Sequence, residues 1–272
     1  MPRIPFFRFP TKLRRRVRRN RMATLALLAL LAALLLLVPL WSLWCVYKPP
    51  RFLLGLLRAR YPDVLFEATT AERLVALSLD DAPSAHTDEI LAALREHDAR
   101  ATFFVIGEQV AEAGREEVLR KVVRGGHELA NHGMRDEPAT RLALDTLERE
   151  AGEVRAKLVA AYEAEGKVLE NNYYRPGSGF FNTKMRDLLG NRGYRITLGS
   201  VYPHDPQIRS PERNAAHILS MAHPGAIIIC HDRREWTAPM LRMVLPALKE
   251  RGYRVVTITE LVKAAEPLGG RR

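Results

Sequence analysis

The stretch Leu77-Ser-Leu-Asp-Asp-Ala-Pro-Ser84 places two adjacent carboxylates, Asp80 and Asp81, at the end of an apolar run that begins at Leu74. A short apolar run bounded by a turn signal is typical of a buried strand. Neighbouring side chains of an extended strand point to opposite faces, so two adjacent acids share a site only where the strand ends and the chain turns. Ala82-Pro83 supplies that turn. We therefore expect both acids at a functional edge of a sheet.

The pattern after Leu74 alternates short apolar runs with longer helical segments. The runs predict strands over 74–79, 101–106 and 127–130, and the longer segments predict helices over 87–97, 115–124, 140–166 and 183–191. Two near copies, Asn191–Thr197 and Glu250–Thr257, each place a glycine just past a helix and a β-branched strand after it. Repeated β/α units predict a largely parallel sheet or barrel, with catalytic groups in the loops after the strands.

Polar residues occupy several of these loop positions. His132, Arg175 and His231 each follow a predicted strand, as Asp80 and Asp81 do. Carboxylates and imidazoles gathered at one edge can act as general bases and acids, and they can also hold a divalent metal that activates water. Asp81, His132 and Asp136 are candidate ligands, and the last two would share one face of a helical turn because they are four residues apart.

The charge of the chain is concentrated at its N-terminus. Residues 1–22 contain nine Lys or Arg and no acid, so the rest of the chain carries only +2 of the formal net charge of +11. No basic patch interleaved with aromatic residues follows, which argues against a nucleic-acid partner. Met22–Tyr47 is an uncharged run of 26 residues, longer than the roughly 20 needed to span a bilayer.

This apolar run predicts a transmembrane signal anchor. Trp41, Trp44 and Tyr47 crowd its end as an interfacial aromatic belt does. A cleaved signal peptide is the alternative, although its apolar region is usually about 7–15 residues and ends in small residues. The basic tail would stay in the cytoplasm, which places everything after Lys48 in the lumen or outside. Cys45 and Cys230 are the only cysteines, so no disulfide framework is expected.

Five segments describe the predicted organisation of the chain. They are a basic cytoplasmic tail (1–22), a transmembrane signal anchor (23–47), a stem (48–73), a catalytic domain (74–265) and a C-terminal tail (266–272). The protein is thus predicted to be a single-pass membrane protein with a lumenal or extracellular catalytic domain.

The order of motifs from Leu74 to Leu261, roughly 70% of the chain, resembles the polysaccharide deacetylases of the NodB-homology type. This carbohydrate esterase family includes chitin and peptidoglycan deacetylases. Its T-F-D-D-G-P motif corresponds to Ser78–Pro83, its H-x-x-x-H to His132–Asp136, its R-P-P-Y-G to Arg175–Gly179, its aspartate-tryptophan pair to Asp205-Pro206 and its L-H-D to Cys230–Asp232. The resemblance implies an α/β fold, a distorted (β/α) barrel preceded here by one N-terminal transmembrane helix.

The resemblance also implies roles for individual residues. Asp80 would be the general base and Arg175 would orient it through a charge-assisted pair. Asp81 and His132 would bind a divalent metal together with Asp136. That metal would be zinc, with cobalt, manganese or nickel as alternatives.

The remaining implied roles concern the leaving group and the substrate. His231 would be the general acid, oriented by Asp205. The backbone N–H of Ser178 would bind the oxyanion, and Trp236 would stack on a sugar ring. The alternatives are a satisfied buried histidine at His231, a plain turn residue at Asp205 and a core position for Trp236.

Three of the departures from the family pattern bear most directly on the site. Asp136 stands where the second metal-binding histidine is usual, Ser178 where tyrosine is usual and Pro206 where tryptophan is usual. A carboxylate can bind zinc, but it favours harder metals and leaves the metal less positive, so the bound water should be less acidic. Asp136 could instead cap the helix that follows it.

The implied activity is removal of N-acetyl groups from an N-acetylglucosamine-containing polysaccharide such as chitin. Two other interpretations stay open. The departures favour a catalytically inactive protein that binds carbohydrate. Alternatively, Asp80 paired with Asp205 or Asp232 would suit a glycosidase, whose two carboxylates lie about 5–9.5 Å apart. The polymer, its linkage, a preference for N- or O-acetyl groups and the oligomeric state are left open by the sequence.

Overall fold

The computed structural model describes residues 20–265, which form two compact units that divide after Pro50. The first unit contains α1 (Arg21–Tyr47), a helix of 27 residues with Pro39 inside it. Its most apolar window has a mean hydropathy of 2.7 and no buried residue. Its length and composition thus make α1 a candidate membrane span. A signal sequence near the N-terminus meets the same two criteria. The predicted tails lie almost wholly outside the described residues.

The second unit is built on seven parallel strands. They are β1 (Leu74–Ala82), β2 (Ala101–Val105), β3 (Glu128–Asn131), β4 (Tyr173–Tyr174), β5 (Arg195–Ile196), β6 (Ile227–His231) and β7 (Arg254–Val256). The order across the sheet is β5-β4-β3-β2-β1-β6, and β7 pairs with the first residues of β1. The sheet curls into a half-barrel, which confirms the predicted fold class. Its central strand, β1, carries the two acids.

Nine helices accompany these strands among the described residues of the second unit. They are α2 (Arg51–Arg60), α3 (Thr87–Glu96), α4 (Gly107–Val110), α5 (Arg115–Arg124), α6 (Leu144–Glu163), α7 (Thr183–Asn191), α8 (Pro211–Met221), α9 (Thr237–Glu250) and α10 (Ile258–Ala265). The helices predicted over 115–124 and 183–191 have the predicted bounds. The helix predicted from residue 140 begins at Leu144, because Leu142 and Ala143 are extended after a 3-10 turn.

Alternation along β1 divides the core into two faces. Val75 and Leu77 belong to the larger cluster, which contains apolar residues of α3, α5, α6, α8 and α9. Leu74 and Ala76 belong to a cluster on the opposite face, with side chains of β2, β3, β6, β7 and α10. This period-two alternation explains why β1 reads as a continuous apolar run, since both of its faces are buried.

The segment predicted to be a stem contains α2, which packs on the sheet domain. Leu54 is buried, and Leu57 and Tyr61 contact a third apolar cluster that includes residues of α6 and α7. An ion pair of 2.9 Å between Arg58 and Glu67 ties α2 to the chain that enters β1. The second compact unit accordingly begins at Arg51.

Two matched valine substitutions test this assignment of the core. Val75 has no exposed surface, whereas Val168, in the loop after α6, is 79% exposed. Val75→Ala should lower the free energy of unfolding by about 2 kcal/mol because it removes buried apolar surface. Val168→Ala should change that free energy by less than about 0.5 kcal/mol. Denaturant unfolding of the full chain in detergent measures both, and equal effects would contradict the assignment.

Candidate active site

The end of β1 directs both acidic side chains into one cavity. Alternation places Leu79 towards the helices and Asp80 on the opposite face. Asp81 would return to the helix side, but its φ of 62° lies in the left-handed region. The pairing with β2 also shifts register between Leu79 and Ala82. Strain of this kind is found at functional sites, and here it brings the second carboxylate beside the first.

The cavity at this edge of the sheet has a volume of about 490 Å³. Seven of the nine predicted site residues line it, namely Asp80, Asp81, His132, Asp136, Arg175, Ser178 and His231. Asp205 and Trp236 lie behind the wall that His231 forms. Strand pairing accounts for part of this assembly, because Asp80 and His231 are register partners on β1 and β6.

Asp80 forms a buried ion pair with Arg175. The guanidinium donates from Nη1 to Asp80 Oδ1 at 2.5 Å, and the two side chains are 2% and 7% exposed. Burial raises the pKa of Asp80, but the charge and hydrogen bond of Arg175 lower it, and the net pKa is below the ordinary value. Asp80 is therefore a carboxylate at neutral pH, with Oδ2 left to face the cavity.

Arg175 is itself held on all sides. Its Nε and Nη2 donate to the carbonyl oxygens of Thr197 and Leu198, both at 3.0 Å, and Nη1 also donates to Ser78 Oγ at 2.8 Å. The guanidinium lies 3.8 Å from the centre of the Phe104 ring. A planar, multidentate cation suits these contacts and lysine does not.

His132 turns its Nε2 towards the two acids. Its Nδ1 lies 2.7 Å from the carbonyl oxygen of Arg175. That oxygen can only accept, so Nδ1 carries a hydrogen and Nε2 is the ring nitrogen that a metal ion could bind. Nε2 lies 3.6 Å from Asp81 Oδ1 and 3.8 Å from Asp80 Oδ2. One imidazole nitrogen and two carboxylates thus converge on the same point of the cavity.

Asp81 and His132 fit a divalent metal as two of its ligands. Zinc bonds of about 2.0–2.2 Å place two tetrahedral ligands roughly 3.4 Å apart, close to the separation of Asp81 Oδ1 and His132 Nε2. Burial raises the pKa of Asp81, and the neighbouring Asp80 adds to this, so a nearby cation would stabilise its charged form. Within residues 20–265, however, no group of three or more His, Cys, Asp or Glu side chains is already gathered as a metal site.

Asp136 lines the same cavity but is paired elsewhere. Its Oδ2 lies 3.6 Å from Arg233 Nη1, and its side chain is 57% exposed. The expectation of a helical turn over 132–136 is wrong. Gly133 has a φ of 81°, and the segment from Gly133 to Pro138 contains no helix before the 3-10 turn begins at Ala139. That turn is preceded by Pro138, so Asp136 is not its cap.

His231 and Asp205 form a hydrogen-bonded dyad. Asp205 accepts from the ring Nδ1 of His231 at 3.0 Å and from its backbone N–H at 2.8 Å. Burial lowers the pKa of His231, but the hydrogen bond and charge of Asp205, with the charge of Asp80, raise it to about 9. The imidazole is thus protonated at neutral pH, and its Nε2–H is the proton that can be donated into the cavity.

Trp236 supports this dyad and does not line the cavity. Its indole Nε1 donates to the backbone carbonyl of Asp205 at 3.0 Å. It therefore fixes the backbone that carries Asp205, in a loop where Pro206 replaces the tryptophan of the family pattern. The sugar-stacking role predicted for Trp236 has no geometric support, because the ring lies outside the set of cavity-lining residues.

Ser178 lies on a tightly packed loop at the cavity. Its φ of 64° is left-handed, which turns this segment back on itself. The preceding Gly177 packs against the next loop so closely that an added Cβ would lie 2.0 Å from the carbonyl oxygen of Glu137. Only glycine fits at position 177, where the family pattern has its second proline. This glycine therefore allows the segment that contains Asp136 and Glu137 to pass close to the loop.

Asp232 is a structural residue. Its carboxylate accepts from Thr87 Oγ1 at 2.5 Å and from Ser84 Oγ at 3.1 Å, and it does not line the cavity. Burial raises its pKa to about 6 despite those hydrogen bonds. With Asp232 and Asp205 both engaged away from the cavity, neither forms the carboxylate pair with Asp80 that a glycosidase requires.

Sequence reasoning missed three residues that bring polar side chains to the cavity wall, namely Tyr202, Gln207 and Arg234. Tyr202 directly follows Val201, which bridges Ile228 of β6. No apolar run precedes Tyr202, because Gly199 and Ser200 separate Val201 from Leu198, so the sequence did not indicate this strand-like segment. Gln207 and Arg234 lie in loops without periodicity, so nothing in their local sequence indicates a cavity.

Comparison with known families gives a match over residues 67–197 to the model of the polysaccharide deacetylase family. The match ends before Asp205 and His231, which the sheet nevertheless brings beside Asp80. The chain is 31% identical over 206 residues to a peptidoglycan-N-acetylglucosamine deacetylase of Bacillus cereus, covering 74% of this chain and 93% of the relative. It is 30% identical over 219 residues to a chitooligosaccharide deacetylase of Rhizobium leguminosarum, covering 75% and 99%.

Solved structures show the same fold. A crystal structure of a carbohydrate esterase family 4 pseudoenzyme from Bacillus anthracis superposes with a TM-score of 0.66 at 25% identity. The alignment covers 73% of this chain and 68% of the pseudoenzyme. The chain is therefore similar in sequence to proteins named as deacetylases and similar in fold to one named as a pseudoenzyme.

Asp205→Asn tests the origin of the raised pKa of His231. Loss of the carboxylate charge should lower that pKa from about 9 to its ordinary value of about 6.5 or below. NMR titration of labelled histidine in the full chain measures the change. Asp98→Asn, in the exposed turn after α3, is the matched control and should have no effect.

The same pKa sets the sign of a stability effect. Because the pKa of His231 is higher in the folded chain, the dyad stabilises fully below about pH 6.5, and this contribution is lost as pH rises through about 9. Asp205→Asn should remove that dependence. An unchanged pKa of His231 in the variant would contradict the dyad.

Proposed function

This chain belongs to the polysaccharide deacetylase family, and we propose that it is a membrane-anchored, metal-dependent deacetylase of N-acetylglucosamine-containing glycans. The observation that carries the proposal is the content of one cavity. It holds an ionised Asp80 on Arg175, a protonated His231, and the Asp81–His132 pair that fits a cation. Base, acid and metal ligands are the parts that amide hydrolysis requires.

The divalent ion would be held by Asp81 and His132, with Asp136 able to join them if it leaves Arg233. When bound, such an ion polarises the acetyl carbonyl and makes a water molecule more acidic. Zinc accepts this set of one nitrogen and two carboxylate ligands. Cobalt, manganese and nickel are alternatives, because carboxylates also suit harder ions.

Asp80 would act as the general base. Arg175 occupies Oδ1, so Oδ2 accepts the proton of the attacking water. The buried ion pair keeps Asp80 ionised and fixes its orientation. Oδ2 lies 3.8 Å from Nε2 of His132, which places the base beside the proposed metal ligands and therefore beside the water.

His231 would act as the general acid. With Nδ1 bonded to Asp205, the proton on Nε2 passes to the amide nitrogen as its bond to the acetyl carbon breaks. The backbone N–H of Ser178 would stabilise the negative oxygen that forms on that carbon. Water is consumed, and the products are acetate and a free amino group on the sugar.

The membrane anchor would be α1. Its length and apolar composition meet the requirement for a span. The eight basic residues before it, together with Arg21 at its start, favour a cytoplasmic N-terminus. The catalytic domain would then lie on the non-cytoplasmic side, where extracytoplasmic glycans are found.

A catalytically inactive, carbohydrate-binding protein is the second candidate. The pairing of Asp136 with Arg233 favours it, since the third ligand position is engaged by another cation. The structural likeness to a family pseudoenzyme favours it too. The retained base, acid and first two ligands favour an active enzyme, and metal-dependent turnover decides between the two.

Asp80→Asn is the direct test of the general base. The full chain in detergent is stripped of metal, supplied with zinc, cobalt, manganese or nickel, and assayed for acetate release from N-acetylglucosamine oligomers. Metal should restore turnover in the wild type, and the variant should be slower by about 10²–10⁴-fold because it lacks the base. Asp88→Asn, an exposed acid paired with Lys121 on α5, should retain activity. Wild-type rates in Asp80→Asn would overturn the mechanism.

Asp136→His tests the third ligand position. Histidine restores the family's residue and cannot pair with Arg233, so zinc affinity measured by calorimetry should be equal or higher. Asp145→His, at the exposed start of α6, controls for zinc binding by an added histidine. A clear loss of zinc affinity in Asp136→His alone would rule out residue 136 as a ligand position.

A further inference from the structure

We propose that the outer face of α2 binds the surface of the lipid bilayer and so holds the sheet domain against the membrane. The partner is a phospholipid surface that carries anionic headgroups. This inference rests on the membrane anchor of the proposed function, because that anchor brings α2 to the bilayer. It adds a second membrane contact, made by the compact unit that also carries the candidate active site.

α2 is apolar on two faces, and the sheet domain covers one of them. On the inner face, Leu54 is buried and Leu57 contacts the third apolar cluster. The outer face consists of the exposed residues that recur at helical spacing, namely Arg51, Phe52, Gly55, Leu56, Ala59 and Arg60. A helix that is apolar on all sides is normally buried in a protein core or in a membrane. The sheet domain does not supply that environment to the outer face.

Two large apolar side chains dominate the outer face. Phe52 and Leu56 are four residues apart, so they lie on the same side of the helix, and they are 59% and 61% exposed. A Cβ added at Gly55, next to Leu56, would meet no atom within 4 Å. Contiguous exposed apolar residues rimmed by charge mark sites that contact a partner or a membrane.

Arginines flank this apolar stripe at both ends. α2 contains three arginines and no acid. Arg58 is paired with Glu67, whereas Arg51 and Arg60 are outside ion-pair distance of every carboxylate in residues 20–265. Helices that lie in a bilayer interface combine Phe and Leu on the apolar side with Lys or Arg that reach the headgroups. A guanidinium pairs with a phosphate through two hydrogen bonds, so these arginines suit an anionic phospholipid.

The connectivity of the chain brings α2 to the bilayer. Three residues, Lys48-Pro49-Pro50, separate Tyr47 at the end of the proposed span from Arg51. A linker of this length reaches at most roughly 14 Å. Trp44 and Tyr47 are residues of the kind that mark a membrane interface, so α2 begins within one linker length of that interface. A second copy of the chain or a soluble partner is not held at α2 in this way, which favours lipid as the occupant.

Contact through α2 would orient the whole sheet domain, because α2 is fixed to that domain. Leu54 is 5% exposed, and Arg58 pairs with Glu67 at 2.9 Å. Oε2 of Glu67 also lies 2.8 Å from Nε2 of His223, just before β6. With α2 on the bilayer, the sheet domain does not hang from a flexible tether, and the glycan that it reaches lies close to the membrane surface.

The experiment places a fluorescent dye on the outer face. All chains are full length and carry Cys45→Ala, and Cys230 is fully buried, so a maleimide dye labels only an introduced cysteine. Ala59→Cys places a polarity-sensitive dye on the outer face, and Glu116→Cys, on the exposed side of α5, is the matched control. The labelled chains are reconstituted into vesicles of phosphatidylcholine and phosphatidylglycerol. Lipid that is spin-labelled near the headgroup quenches a dye beside it.

The dye on Ala59→Cys should emit at shorter wavelength in vesicles than the dye on Glu116→Cys. Spin-labelled lipid should quench it about twofold or more, because an interfacial helix lies roughly 5–10 Å deep, whereas the control dye should remain unquenched. Adding Phe52→Gln together with Leu56→Gln should abolish the quenching. Adding Val168→Gln, which replaces an exposed apolar side chain in the loop after α6, should leave it unchanged.

The headgroup charge tests the two arginines. Vesicles of phosphatidylcholine alone should give weaker quenching of the dye on Ala59→Cys than vesicles that contain phosphatidylglycerol. Arg51→Gln together with Arg60→Gln should remove this difference between the two lipid mixtures. A difference that persists in this double variant would overturn the assignment of the arginines to the headgroups.

Three results would overturn the contact of α2 with lipid. Emission typical of water on Ala59→Cys, without quenching, leaves the outer face in solvent. Emission at shorter wavelength without quenching shows that a protein surface, such as a second copy of the chain, covers α2. Equal quenching on Ala59→Cys and Glu116→Cys shows that the contact is not specific for α2.

Extraction of the vesicles with alkaline carbonate separates this inference from the anchor. This treatment releases proteins that lie on a bilayer and leaves those that span it. Retention of the chain without quenching on Ala59→Cys would keep the anchor and overturn the inference. Release of the chain, with quenching present before extraction, would overturn the anchor and keep the contact of α2 with lipid.

Discussion

The buried ion pair between Arg175 and Asp80 is the interaction on which the site depends. Two charges removed from water are tolerated only when geometry and additional hydrogen bonds compensate for their desolvation, and Arg175 meets this with two carbonyl contacts and the face of Phe104. The same residue also accepts from His132 Nδ1 through its own carbonyl. One arginine therefore fixes the charge of the proposed base and the Nδ1–H of a proposed metal ligand.

The departures from the family pattern form a connected region of this structure. Gly177 leaves room for the carbonyl of Glu137. The neighbouring residue, Asp136, forms an ion pair with Arg233. Trp236 comes from a different loop and holds the backbone of Asp205, beside the proline that replaces the family's tryptophan. The acids and the histidine that match the family's motifs lie at strand ends, whereas these departures lie in the loops around them, as expected where rigid strands position variable loops.

Strand ends could be predicted from the sequence, and loop geometry could not. Asp80, Arg175 and His231 follow buried apolar runs, and parallel strands bring their carboxyl ends to one edge, so their meeting was predictable. Asp136 was misplaced on a helical turn because four-residue spacing does not reveal the left-handed Gly133. Nothing in the sequence identified Arg234 as a cavity residue, because the surroundings of a loop side chain depend on which residues the fold places beside it.

The central claim is that Asp81 and His132 bind one divalent ion while Arg175 keeps Asp80 free to act as the base. An anomalous difference map at the zinc absorption edge, from crystals of the full chain grown with zinc, tests it most directly. We predict a single strong peak within bonding distance of Asp81 Oδ1 and His132 Nε2, with Asp80 still on Arg175. Absence of a peak at that position, or a zinc ion bound by Asp80 in place of Arg175, would contradict the account.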